Sequence, residues 1–144
     1  MIKHFDHVTV CVRDLDAAKR FFALLGFEED KSVVISGARF ASYMGLDEIE
    51  ADHVTLVVPD ATPRLEVQLL HYRRPVAQDD PNIARLDKIG FNHICFAVDD
   101  AAATVERLKA HGIEVRGELA GFHQRRLFFL TGPEGITVEL AEWE

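Results

Sequence analysis

Two histidines, His7 and His93, and two oxygen donors, Gln68 and Glu139, stand at matching places in this 144-residue chain. Phe5-Asp6-His7-Val8 is followed later by Phe91-Asn92-His93-Ile94, and Val67-Gln68-Leu69 by Val138-Glu139-Leu140. Imidazole nitrogens combined with carboxamide or carboxylate oxygens form a donor set for zinc, nickel, cobalt, manganese or iron(II) at neutral pH. Four protein donors on an octahedral ion leave two neighbouring positions for substrate or water. Such donors do not choose among those metals. Taken singly, a histidine near a strand start is more often hydrogen-bonded structure than a ligand. The recurrence of the donors on two otherwise apolar units favours a metal, because buried polar groups are costly unless something satisfies them.

The recurrence extends beyond the donors. With His7 laid on His93, Val12 meets Val98, Asp14 meets Asp100, Ala17 meets Ala103 and Gly26 meets Gly112, with no gap. The far ends of the copies align at a shorter offset, so the first copy carries about fifteen extra residues in its middle. Val8, Val10 and Val12 alternate with Phe5, His7, Thr9 and Cys11, which predicts a strand whose histidine faces away from the valines. Asp14 or Asp16 then caps a helix with Ala18, Phe21, Phe22 and Leu25 on one face and Gly26 as its stop. Strands follow at 27–35, 52–58 and 65–72, with one or two helical turns inside 36–46. Module one therefore reads βαβββ over about 5–72. Residues 73–90 read as a linker, partly helical at its end. Module two, about 91–144, repeats the order: a strand over 91–98, a helix over 100–111, and strands at 113–116, 126–130 and 136–143. By phase, Gln68 and Glu139 share the uncovered faces with His7 and His93. Glu66 lies on the face of Gln68, and His71 on the covered one.

The length suits one domain, 1–144, better than two independent ones. A net charge of -8, with basic residues clustered no further than pairs such as Arg73-Arg74 and Arg125-Arg126, argues against nucleic acid and anionic membrane and leaves small molecules as partners. No run of eighteen apolar residues and no signal-like N-terminus occurs, so a cytoplasmic protein is expected. Cys11 and Cys95 fall in apolar strand patterns and are expected reduced, buried and inert.

These paired βαβββ units, with Arg13-Asp14-Leu15, Phe21-Phe22, Leu25-Gly26-Phe27 and the run Gly132-Pro133-Glu134-Gly135-Ile136-Thr137, resemble the vicinal oxygen chelate superfamily. That superfamily includes glyoxalase I, methylmalonyl-CoA epimerase, extradiol dioxygenases and the fosfomycin and bleomycin resistance proteins. The resemblance covers essentially the whole chain. It implies an α+β fold of two tandem βαβββ modules forming an incomplete-barrel metal-binding cleft. It also implies one divalent metal ion held by His7, Gln68, His93 and Glu139, and a homodimer. The order His, Gln, His, Glu looks most like methylmalonyl-CoA epimerase. The activity implied is an isomerase, epimerase or lyase reaction that moves a proton through a metal-stabilised enediolate, with Glu139 as first candidate for the acid-base residue and Glu66 as second.

Two rivals use the same residues differently. His7, His93 and Glu139 alone would make the two-histidine, one-carboxylate set of an Fe(II)-dependent extradiol-type dioxygenase. A bleomycin-resistance-like binding protein would have no catalysis at all, although such proteins usually lose the donor positions. His53 and His123 are candidates to line a pocket. Arg125 and Arg126 read as solvated, and the stretches 36–52, 73–90 and 117–125 read as loops that set specificity.

Overall fold

The first valine-rich stretch forms strand β1 (His7–Cys11) and passes into helix α1 (Leu15–Leu24) in the computed structural model, which describes residues 1–144. Asp14 caps α1 by accepting from the Ala17 amide at 2.9 Å. At the other end Gly26 takes φ 95°, which lets the Gly26 and Phe27 amides reach back to the carbonyls of Ala23 and Phe22. The Phe22 and Phe27 rings close that turn edge to face, 5.5 Å apart. Helix α3 (Ala101–Ala110) in the second copy has the same two ends. Asp100 accepts from Ala103, and the amides of Gly112 and Ile113 return to Lys109 and Leu108.

The remaining elements of the first copy are β2 (Glu28–Ser36), α2 (Ala38–Met44), β3 (Glu50–Val57) and β4 (Glu66–Arg74). Those of the second are β5 (Ile94–Ala97), β6 (Val115–Phe122), β7 (Arg125–Thr131), a 3₁₀ turn at Pro133–Gly135 and β8 (Thr137–Trp143). Each copy forms one four-stranded sheet, in the order β1-β4-β3-β2 and β5-β8-β7-β6. The first and last strands of each copy run parallel, and the other pairs are antiparallel. Neither sheet closes into a barrel, and the whole is the expected α+β arrangement of tandem modules. Two compact units result, Met1–Asp79 and Asp80–Glu144, divided inside the predicted linker.

Alternation decides which face each helix covers. In the first unit Val12, Val54, Val67 and Leu69 are buried, as are Ala18, Phe21 and Phe22 of α1. In the second, Leu130, Val138 and Leu140 are sealed, and Ala101 and Val105 of α3 pack with Phe128. The extra residues of the first copy build α2, whose Ala41 joins Ile49, Ala51 and Leu70 in a separate cluster. Leu70 shares its face with Gln68, so part of that face is covered in the first unit. The second unit has no helix corresponding to α2.

Three expectations change. No helix forms at the end of the linker; instead Pro81–Ala84 is a turn in which the Asp80 carboxylate accepts from the Asn82 amide at 2.9 Å. Leu86 and Ile89 are exposed, so an apolar face there would have nothing to cover. Residues 117–122 are strand, not loop: β6 continues to Phe122 and turns into β7 through His123 and Gln124, both at positive φ. Gly117 and Gly121 sit at its two register shifts, and those bulges break the alternation that would have marked a strand. Finally, β5 begins at Ile94, one residue after His93, where its pairing with β8 starts opposite Val138.

The matched caps and cores predict graded costs in urea unfolding followed by circular dichroism. Asp14→Ala and Asp100→Ala are each expected to remove about 1 kcal/mol. Leu140→Ala, which empties a fully buried position, is expected to remove about 2–5 kcal/mol.

Candidate functional site

His93 enters from the start of β5 and Glu139 from the middle of β8, where Cys95 is its cross-strand partner. The His93 Nε2 lies 3.0 Å from Glu139 Oε2, and its Nδ1 lies 2.7 Å from Asn92 Oδ1. The Asn92 amide group donates to the Leu86 carbonyl at 2.6 Å, which turns its oxygen toward the imidazole. An amide oxygen only accepts, so Nδ1 carries the proton that points to Asn92, and Nε2 is the nitrogen that faces the carboxylate oxygen. Two acceptors at that distance need a proton or a cation between them. Two donors about 2.1 Å from one ion, at right angles, stand about 3.0 Å apart. The spacing is one that could hold a divalent cation, and the Asn92 contact is of the kind that orients an imidazole for such a role. The ring of Phe129 packs edge-on against His93, 5.3 Å away.

The first unit arranges its donors differently. The His7 Nδ1 lies 2.5 Å from Asp6 Oδ1 and 3.9 Å from Glu66 Oε2, and donor atoms of these three residues converge within 4.8 Å. The hydrogen bond to His7 holds the exposed Asp6 carboxyl below the usual carboxylate range. Gln68 donates to Glu66 at 3.1 Å, which orients its amide, and its oxygen accepts from Thr9 at 3.3 Å and from His53 Nε2 at 3.0 Å. The structure thus gathers His7 with Glu66, and Gln68 with His53. Strand phase placed His53 among pocket candidates without linking it to Gln68, and Asp6 and Asn92 were not singled out. Both of the latter immediately precede a site histidine, which is the signal that could have found them.

On the open face of the second sheet lies a cavity of about 750 Å³. Alternate residues of three strands line it: His93, Cys95 and Ala97; Arg125, Leu127 and Phe129; Glu139, Ala141 and Trp143. Arg116, Glu118, Leu119 and Phe122 of β6 complete the wall. His123, at the hairpin tip, is not in that wall; it meets Phe122 edge-on and lines a separate, shallower hollow with Gln124, Arg125 and Trp143. His71 is tied to the Val12 carbonyl at 3.0 Å, in keeping with its covered face. Arg126 is paired with Glu118 at 2.7 Å, whereas Arg125 lies over the Trp143 ring at 3.7 Å and faces the cavity.

Neither cysteine is in a disulfide, but both are exposed, which corrects the expectation of burial. Each lies in phase with its strand's histidine, on the side away from the valine-rich core. Cys95 is nonetheless hemmed in. Desolvation by its neighbours, then the charge of and hydrogen bond to Glu139, push its thiol up to about 12.

A family model described as the Glyoxalase/Bleomycin resistance protein/Dioxygenase superfamily matches residues 4–140. Over 151 aligned residues the chain is 30% identical to the ethylmalonyl-CoA/methylmalonyl-CoA epimerase of Cereibacter sphaeroides, with 99% of each covered. The crystal structure of a glyoxalase family protein from Bacillus cereus matches with a TM-score of 0.88 and 28% identity, covering 99% of this chain and 95% of that one. The fosfomycin resistance protein FosX from Listeria monocytogenes, solved with Mn(II) and sulfate, shares the fold at a TM-score of 0.64 and 20% identity, covering 100% and 95%.

The environment of Cys95 predicts slow alkylation. At pH 8 its modification by iodoacetamide, followed by peptide mass spectrometry, is expected to be about a hundredfold or more slower than in the urea-unfolded chain, because thiolate is the reactive form. Glu139→Gln, which removes the adjacent charge, is expected to speed it. Equal rates in folded and unfolded protein would contradict the described environment.

Proposed function

Because this chain belongs to the glyoxalase/bleomycin resistance protein/dioxygenase superfamily, we propose that it is a divalent-metal-dependent isomerase, epimerase or lyase that moves a proton beside a carbonyl group of a small molecule. The observation that carries this reading is the close approach of His93 Nε2 to Glu139 Oε2, at 3.0 Å, with the other imidazole nitrogen held by Asn92. His93 and Glu139, with His7 and Gln68 of the other module, are the proposed ligands. A divalent ion so held would draw electron density from a substrate carbonyl and stabilise negative charge on its oxygen as the neighbouring proton leaves.

The chain's own groups supply the rest. Glu139 is the proposed acid-base residue: its carboxylate borders the cavity, beside the apolar wall of Phe129, Leu127 and Ala141. Glu66 is the second candidate, although Arg64 at 3.1 Å and the Gln68 amide already occupy its oxygens. Asn92 is a positioning residue, since it sets the His93 tautomer. The epimerase relative favours proton transfer over oxygenation.

Metal content by plasma mass spectrometry tests the ligand set on wild type and on His93→Ala, Gln68→Ala and Glu139→Ala. About one divalent ion per chain is expected in wild type, lost or weakened in all three variants, with Asn92→Ala reducing affinity about 10–100-fold. Undiminished metal in Gln68→Ala alone would favour the three-residue set of an Fe(II) oxygenase. No metal after reconstitution with each ion would overturn the enzymatic reading and leave a binding protein.

The first activity to assay is deuterium uptake from solvent into methylmalonyl-CoA, a substrate named for the Cereibacter relative. Glu139→Gln is expected to lower proton exchange about 10²–10⁴-fold.

A further inference from the structure

More than half of the chain's eleven arginines stand within ion-pair distance of a carboxylate. Arg13, Arg64, Arg73, Arg74, Arg85 and Arg126 all reach one within ion-pair distance. The two that line the second unit's cavity, Arg116 and Arg125, form no ion pair, although the chain holds 24 acidic residues against 16 basic ones. The cavity's own carboxylates are engaged elsewhere: Glu118 accepts from Arg126 at 2.7 and 3.0 Å, and Glu139 faces His93.

Arg116 is also pinned. Its Nη2 donates to the Leu130 carbonyl at 3.1 Å and to the Thr137 hydroxyl at 2.6 Å, while its Nε is buried with no partner. Thr137 is 1% exposed and precedes Glu139 by two positions, so it shares that residue's face. The guanidinium is therefore held along the same row of side chains as the His93–Glu139 pair. A neutral donor would satisfy Thr137 and Leu130 equally well; a half-buried cation without a counterion is costly unless an anion is to be received. Arg125 is fixed by a different contact, its guanidinium stacked 3.7 Å from the Trp143 ring. Stacking uses the face of that group and leaves its in-plane N–H donors available.

We propose that this cavity binds an organic oxyanion with an apolar body, the anionic group lying on Arg116 and Arg125 and the body against Phe122, Leu127, Phe129 and Trp143. The planar guanidinium fork suits carboxylate, phosphate and phosphonate alike, and about 750 Å³ accommodates a ligand well above the size of a lone anion. Glu118 is already neutralised by Arg126, so the two arginines outweigh the one remaining carboxylate of the wall, Glu139. That this anion is a substrate rests on the enzymatic reading above; that the site binds it does not.

The test compares 4-phenylbutyrate, 3-phenylpropylphosphonate and the neutral isostere 4-phenylbutyramide. Binding is read from the fluorescence of Trp143, the chain's only tryptophan, and by titration calorimetry. The full chain is used as purified and again after dialysis against a chelator. At about 20 mM salt at least one acid is expected to bind about tenfold or more tightly than the amide, with the gap narrowing toward about 0.5 M salt. Whichever acid binds tighter identifies the oxyanion. The preference should survive dialysis, vanish in Arg116→Met, persist in part in Arg116→Lys, and shrink in Arg125→Met.

Equal binding of acids and amide by wild type would overturn the proposal without any variant having to fold. A preference lost on dialysis would also overturn it, placing the anion on a bound metal and so favouring the chelate site. Metal content in Arg116→Met should match wild type, so a failure here leaves the ligand set untouched.

Discussion

The parallel pairing of first and last strands within each module is the constraint on which the rest depends. Cys95 lies opposite Glu139 and Thr9 opposite Gln68, so in both units the site histidine stands two residues upstream of the position facing the oxygen donor. A slip of one residue in either pair would turn the donor row into the core beneath the helix. That core resists the slip, because Val67, Leu69, Val138 and Leu140 have no exposed surface. The chemistry on one face is thus held in place by packing on the other.

The copies share this frame and differ in what stands around the donors. In the first, Gln68 is surrounded by Thr9, His53 and Glu66, so its carboxamide already makes three hydrogen bonds, and α2 covers the face beyond it. In the second, the residue facing Glu139 is Phe129 and that facing Ala141 is Leu127, where the first unit has Thr55 and His53. With no helix over that face, those apolar side chains border a cavity. The duplication has produced one polar half and one that can hold a ligand's carbon skeleton.

Much of this was legible in the chain. The repeat located both histidines, both helix caps and the phase of Gln68 and Glu139, because each depends only on local spacing and on which face is apolar. The hairpin from β6 into β7 was not legible, since Gly117 and Gly121 interrupt its period at the bulges. The exposure of Cys11 and Cys95 was missed because their neighbours are apolar, while the phase they share with the histidines places them on the open side. His53 and Arg116 reveal themselves only through partners far along the chain, Gln68 and Thr137, which no short window contains.

The same strand arrangement has a consequence for how the molecule comes into being. His7 belongs to a strand whose neighbour begins at Glu66, and the strand after His93 pairs with one beginning at Thr137. The hairpins β3-β4 and β7-β8 close over short turns, but the first-to-last pairing must close a loop spanning most of a module. On a growing chain, therefore, the donors of a module meet only after its final strand has emerged. An incomplete module would present its histidine without its oxygen partner, so completion of each module would gate the appearance of the proposed ion site.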